Sequence, residues 1–301
     1  MFYRYRDRWR RLKFDLACRG VYHTAPPDAL ADSPLALFTQ MQHKDLTMGL
    51  VAFKTFARRV PAQAFYVLND GTLSGDDKTL LRVHLPGVRI FESGDIANGH
   101  CPKGGCWERL LCIADLSARH YVVQLDADTL ALGDLPEVRS KIAENASFAI
   151  GTWDNQQLEP MPYRVEKARA ALARKNGRAH VQVEAEARFD ALENYATMKY
   201  VRGCAGFSGF ARGSVNRDFI QDASRQMEKV LGPRWREWGS EQVMSNIVVA
   251  NGPGASALPH PEYCDCTRLQ HGRTRFVHFI GSCRFDGGVY ANLARRAIES
   301  L

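Results

Sequence analysis

Two carboxylates one residue apart, Asp126 and Asp128, end the apolar run Tyr121-Val-Val-Gln-Leu125. Like charges this close repel, and partial burial at a strand end adds a desolvation cost, so the pair calls for a counter-charge. A hard divalent cation, Mg²⁺ or Mn²⁺, supplies it, because it favours carboxylate oxygen and keeps positions for water and for a substrate's phosphate oxygens. Asp-x-Asp alone is a common turn sequence. Here it follows a hydrophobic strand and precedes Leu130-Ala-Leu-Gly-Asp-Leu135, which makes it far more specific. Two further stretches carry reactive residue types: Phe276-Val-His-Phe-Ile-Gly-Ser-Cys-Arg284, and Gly203-Cys-Ala-Gly-Phe-Ser-Gly209 followed by Trp238-Gly-Ser-Glu-Gln-Val-Met-Ser-Asn246.

The elements that must position these residues alternate between strand and helix. Leu35–Met41, Phe65–Leu68, Val88–Phe91, Tyr121–Leu125, Phe148–Ile150 and Thr274–Ile280 read as strands. Leu46, Leu50, Phe53 and Ala57 have helical spacing, and Asp76–Val83 and Arg109–Leu116 read as helices. Such alternation predicts an α/β fold with a mostly parallel central sheet flanked by helices, and functional groups at the carboxyl ends of its strands. Residues 155–200, rich in Ala, Glu, Arg and Gln, predict a helical insertion over Glu166–Lys175 and Val183–Glu193. It either shapes a second substrate's pocket or is a solvated excursion.

Composition bounds the rest. The 301 residues are 45% hydrophobic and 24% charged, which excludes a disordered chain. Forty basic against thirty-three acidic side chains leave +7; residues 1–20, with seven basic and two acidic, hold +5 of it. A near-neutral domain with a basic arm is no nucleic-acid binder. No apolar window is long enough to span a membrane, and no apolar h-region follows the basic start, so a cytoplasmic protein without a cleavable signal is expected. In the arm, Phe2, Tyr5, Trp9, Leu12 and Leu16 recur on one helical face with arginines alongside. That stripe either lies in a membrane interface, placing the protein at the membrane's inner face, or caps a patch on its own domain. The break at Thr24-Ala-Pro-Pro27 and Ser33-Pro34 lets the arm fold back and favours the second; it also sets a boundary near residue 30, before one domain over 31–301. The eight cysteines are read as small reduced thiols. A zinc site from Cys101, Cys106, Cys264 and Cys266 is the alternative, though the spacings are not those of the usual knuckles.

These motifs resemble the nucleotide-sugar glycosyltransferases of GT-A fold, above all the glycogenin and lipopolysaccharide galactosyltransferase group, glycosyltransferase family 8. The resemblance implies that Asp128 binds Mn²⁺ directly and that Asp126 shares metal and ribose contacts. The family's His-x-x-Gly-x-x-Lys ending matches His278, Gly281 and Arg284, implying a third metal ligand at His278 and a phosphate contact at Arg284, where arginine replaces lysine. The Pro-Trp that often follows is replaced by Phe285-Asp286. Ala205-Gly206 fits the donor-pocket stretch, with Cys204 in place of Asn. Glu241-Gln242 with Asn246 fits the later motif, with Glu in place of Asp. More loosely, Asp70 in Asn69-Asp-Gly-Thr72 resembles the Asp-Asp-Gly-Ser of inverting enzymes that touches uracil, and Arg109 falls where many members carry a donor-facing cation.

The activity implied is metal-dependent transfer of a sugar from a nucleoside-diphosphate sugar, taken as a UDP-sugar, to a hydroxyl of a glycan or lipid-linked acceptor. An inverting enzyme needs a base, for which Glu241 or Asp154 is available; a retaining one would use Gln242 or Glu241 near the reacting face. His278 leans towards retention and Asp70 towards inversion. Two other classes compete. A sugar nucleotidyltransferase would need a Gly-rich loop that Leu37–Asp45 lacks, and a non-catalytic nucleotide-sugar binder would not need every ligand type.

Overall fold

The computed structural model describes residues 2–281 and 283–301, with side chains from residue 8 onward. In chain order its elements are α1 (Phe2–Cys18), β1 (Leu35–Met41), α2 (Leu46–Ala57), β2 (Ala64–Asn69), α3 (Gly75–His84), β3 (Arg89–Glu92), α4 (Trp107–Ser117), β4 (Tyr121–Leu125), β5 (Thr129–Ala131), α5 (Pro136–Ala143) and β6 (Phe148–Ile150). Then come β7 (Glu159–Pro160), α6 (Met161–Ala173), α7 (Val181–Glu186), β8 (Lys199–Tyr200), β9 (Cys204–Phe210), α8 (Arg217–Leu231), α9 (Ser240–Ala250), β10 (Ser256–Leu258), β11 (Tyr263–Asp265), β12 (Phe276–His278) and α10 (Val289–Ile298).

The chain divides into two compact units. One comprises residues 1–94, 123–140 and 259–301, the other residues 95–122 and 141–258. In the first, strands run side by side in the order β4-β1-β2-β3, with β1/β2 and β2/β3 parallel. A second sheet, β11-β12-β5, carries one parallel and one antiparallel pairing. β1 and β2 are buried almost throughout, as near-continuous apolar runs in a parallel sheet must be. α2, whose residues are all buried, packs on β1 and β5. α3 starts with a capping box in which Ser74 and Asp77 satisfy each other's backbone N–H groups. The fold is therefore α/β, mostly parallel and helix-flanked, as the sequence predicts.

In the second unit the order is β10-β6-β9, parallel for β10/β6 and antiparallel for β6/β9. β9 is rich in small residues and reads poorly as a strand. Its Gly209 is required by packing, since a Cβ there would lie 2.2 Å from Cε1 of Phe148 on the neighbouring strand. Of the helices expected within 155–200, the first forms as α6, while the second forms only as the short α7 and gives way to 3₁₀ turns at Phe189–Ala191 and Tyr195–Thr197. Trp107 and Trp235 meet edge to face at 5.5 Å, and the Trp107 indole N–H donates to Ser240 Oγ at 3.0 Å.

The amino-terminal helix corrects the expectation made for it. α1 packs on α10 and α2 of its own unit, but with the face opposite to the Trp9-Leu12-Leu16 stripe. Phe14 and Cys18 are buried; Phe14 meets Tyr290 at 4.3 Å with the rings tilted and Phe285 at 6.1 Å. Arg11 pairs with Asp45 at 2.6 Å and Arg10 with Asp286 at 3.1 Å. Trp9, Leu12 and Leu16 stay 58, 47 and 58% exposed, while the side chains of Phe2 and Tyr5 lie outside the described residues. The apolar period identifies the helix. Which face turns inward is decided by Phe285 and Tyr290, more than 260 residues away in sequence, and by the carboxylates that receive the arginines.

Candidate metal and diphosphate site

The site is built in the first unit by a strand pairing. Leaving β4, the chain turns at Asp126, whose carbonyl accepts from Thr129 N at 3.2 Å and Thr129 Oγ1 at 2.8 Å. It then enters β5, which runs antiparallel to β12 with His278 opposite Thr129, Val277 opposite Leu130 and Phe276 opposite Ala131. That register sets His278 across from the residue after Asp128. A further bond from Phe279 N to the Asp128 carbonyl, 2.9 Å, locks it. Beneath the turn, α2 comes close because Gly49 has no side chain: a Cβ there would stand 3.7 Å from Ala127 Cβ and 2.3 Å from Cε of Met41.

The result is a cluster of three ligand types. One donor atom from each of Asp126, Asp128 and His278 can be chosen so that all lie within 4.8 Å of one another. His278 Nε2 is 3.2 Å from Asp128 Oδ1 and 3.7 Å from Asp126 Oδ2. Among the described residues no other group of three His, Cys, Asp or Glu side chains is so arranged, so the cysteines form no metal cluster there. Asp128 and His278 are buried and Asp126 is partly exposed, which leaves the cluster one open side. Gln124 Nε2 donates to Asp126 Oδ1 at 2.8 Å and orients that carboxylate. Burial pushes the Asp128 carboxyl up, but the neighbouring His278 and Arg284 charges and the His278 hydrogen bond outweigh it, holding the group below the usual carboxylate range. A deprotonated buried carboxylate, a second carboxylate and an imidazole nitrogen form a donor set that fits Mn²⁺ or a similar divalent ion.

Arg284 completes the cluster from the turn after β12. Its Nη2 pairs with Asp128 Oδ2, and its Nε donates to the Phe279 carbonyl at 3.2 Å. Gly281, in the same turn, is exposed, and a Cβ there would meet no atom within 4 Å, so no contact within the protein demands glycine. The turn is tied back by a disulfide from Cys283 to Cys266, the residue whose N–H donates to the His278 carbonyl at 2.9 Å. This corrects the reading of all eight cysteines as thiols: β11 running beside β12 brings Cys266 to the returning turn. Cys18, Cys101, Cys112 and Cys264 are buried thiols as expected, with burial pushing those of Cys101 and Cys264 up to about 11.

Two residues under the site escaped the sequence reading. Phe279 lies flat on Tyr290 at 4.0 Å, and Phe14 meets the same Tyr290 ring at a tilt. The Tyr290 hydroxyl is fully buried without a hydrogen-bond partner among the described residues; burial pushes its pKa up and the Asp128 charge adds to that. Only the helical spacing of Val289–Ile298 hinted at a buried face here.

Asp70, half-buried at the end of β2, accepts from Thr72 N at 3.0 Å and Thr72 Oγ1 at 2.6 Å, an Asx turn that Gly71 completes at φ +100°. In the second unit, Arg109 and Glu241 are buried together as an ion pair, Nη2 to Oε2 at 2.8 Å. Gln242 is half-buried and Asp154 is exposed. Asn246 Nδ2 donates to the Gly203 carbonyl at 3.0 Å, joining two of the quoted motifs.

No family model matches the chain, and no curated protein does. Solved structures similar to it include WbbM, a bifunctional glycosyltransferase in apo form, at 17% identity and TM-score 0.47, covering 85% of this chain and 48% of that one. Mouse xyloside xylosyltransferase 1, apo form, is 10% identical with TM-score 0.47, covering 83% of this chain and 98% of that one. The galactosyltransferase LgtC, in complex with donor and acceptor sugar analogs, is 14% identical with TM-score 0.46, covering 88% and 96%. The chain thus spans about half the length of WbbM and nearly all of the other two. All three bear the names of glycosyltransferases.

Proposed function

We propose that this chain is a metal-dependent glycosyltransferase that moves a sugar, as a hexosyl unit, from a nucleoside-diphosphate sugar, UDP-linked in the first instance, to a hydroxyl of a glycan or lipid-linked acceptor. The observation that carries the proposal is the convergence of Asp126, Asp128 and His278 on one point, with Arg284 beside them. A divalent ion held by those three side chains would supply positive charge where the departing diphosphate gains negative charge.

The chain's own residues do the rest. Asp128, buried and deprotonated, gives the site a fixed anionic ligand. Gln124 holds Asp126 in one rotamer, and the β5/β12 register fixes the His278 ring. Arg284 is only partly buried, and its planar fork can serve a phosphate as well as a carboxylate. Asp126, Asp128 and His278 would hold the ion, and Arg284, which pairs with Asp128, would serve the diphosphate with its guanidinium. Asp70 is assigned to the nucleotide base and Gly281 to close approach of the diphosphate. Glu241, Gln242 and Asp154 are assigned to the sugar chemistry and Arg109 to the donor, each to be tested by substitution.

The test is product identity. Incubation with UDP-sugars and Mn²⁺ should release UDP, even without acceptor, and EDTA should stop it. Pyrophosphate as the product would make the chain a nucleotidyltransferase. Donor binding without turnover across a panel of donors and acceptors would make it a binding protein.

A further inference from the structure

The outward face of α1 carries chemistry that the sugar-transfer proposal does not use. Trp9, Leu12 and Leu16 are one turn apart along a single stripe, and all three are largely exposed. Arg8 on one edge and Lys13 on the other are exposed, Lys13 lying over the Trp9 ring at 5.4 Å. Arg19, just past the helix end, is exposed on the Arg8 side. None of the three cations has a carboxylate partner among the described residues. The acidic side chain of this stretch, Asp15, is turned inward, and burial pushes its carboxyl up. The helix itself is clamped on its opposite face by Phe14, Cys18 and the Arg11–Asp45 pair. The stripe is therefore held outward by a packed helix and is not left exposed by fraying.

We infer that this face is a docking surface for an anionic lipid bilayer. An indole and two leucines present apolar groups that sink to the headgroup boundary, and the flanking cations meet lipid phosphate and carboxylate groups. The charge selects the occupant. A second copy of the chain would bring the same unpaired cations against their like, whereas an anionic surface neutralises all three. Packing on the domain and binding a membrane, which look like alternatives in the sequence, are here assigned to opposite faces of one helix.

The test is co-sedimentation of the full chain with phosphatidylcholine vesicles, with and without phosphatidylserine, at low and high salt. Binding is expected only with phosphatidylserine. It should fall as salt rises, because surface attractions are screened over about 8 Å at physiological ionic strength. The triple variant W9A/L12S/L16S should lose binding while keeping its unfolding midpoint, since the three side chains are exposed. Neutralising Arg8, Lys13 and Arg19 to Gln should weaken binding about fivefold per charge. Failure of the wild type to bind anionic vesicles, or unchanged binding by the triple variant, overturns the inference. So does sedimentation showing a wild-type dimer that the triple variant dissolves, because the stripe would then serve a second copy. No sugar-transfer readout enters, so the result is independent of the proposed activity.

Discussion

Glu241 is the residue for which burial and a proposed chemical role make opposing demands, and one substitution separates them. Its Oε2 lies 2.8 Å from Arg109 Nη2, and the two side chains are only 4% and 7% exposed. At an effective dielectric near 20 the Coulomb attraction at this distance is about 6 kcal/mol, against which several kcal/mol of desolvation is set for each ion. The pair as a whole therefore contributes little net stability, but removing one partner leaves the other's buried charge less compensated, at a cost of up to about 3–5 kcal/mol. Glu241→Gln should lose that amount in urea-induced unfolding, and Arg109→Met should lose a similar amount. The double variant should lose less than the sum, a coupling that the double-mutant cycle measures directly. Stability of Glu241→Gln within about 0.5 kcal/mol of wild type would refute this account of the pair. Activity lost by Glu241→Gln is evidence for a chemical role only when measured where the variant is folded.

Tyr290→Phe keeps the ring contacts with Phe279 and Phe14 and removes a buried hydroxyl that has no hydrogen-bond partner among the described residues, so stability should be unchanged or rise by about 1 kcal/mol; a loss of that size in thermal unfolding would show that the hydroxyl has a partner. Arg284→Ala should weaken UDP binding in calorimetry while leaving Mn²⁺ affinity undiminished, because Arg284 occupies an oxygen of Asp128 that a metal would need; a parallel loss of both would make it a metal-site support instead. The Cys266–Cys283 bridge closes a loop with a sequence separation of 17, for which the chain-entropy account gives about 3 kcal/mol. The Cys266→Ser/Cys283→Ser variant should lose about that much in urea unfolding, and no loss would mean that the turn holds itself.

What was legible in the sequence was whatever local pattern decides. Leu35–Met41 and Leu46–Ala57 were readable, the first from an apolar run interrupted only by Thr39 and Gln40 and the second from the helical spacing of Leu46, Leu50, Phe53 and Ala57. Asp126 and Asp128 stood out because a fully buried strand ends in two charges. His278 was reached only through the spacing of a resembled motif, because the pairing that makes it a ligand, β5 with β12, joins three-residue strands almost 150 positions apart. No local pattern carries that register. The disulfide was illegible for the same reason, since cysteines pair by distance in the fold and not by spacing in the chain. The stripe of α1 predicted a helix correctly and its buried face wrongly: hydrophobic periodicity says that one face is apolar, and the partner across the interface decides which face is covered.

The central claim is that Asp126, Asp128 and His278 together bind a divalent ion, and a Mn²⁺ titration of the purified chain, followed by electron paramagnetic resonance of free Mn²⁺, tests it without any substrate. One site per chain is predicted. Asp128→Asn should weaken it at least tenfold and His278→Ala should weaken it measurably, neither changing the far-UV circular dichroism. Wild-type titration curves from both variants would contradict the claim and return His278 to the role of a buried partner for Asp128.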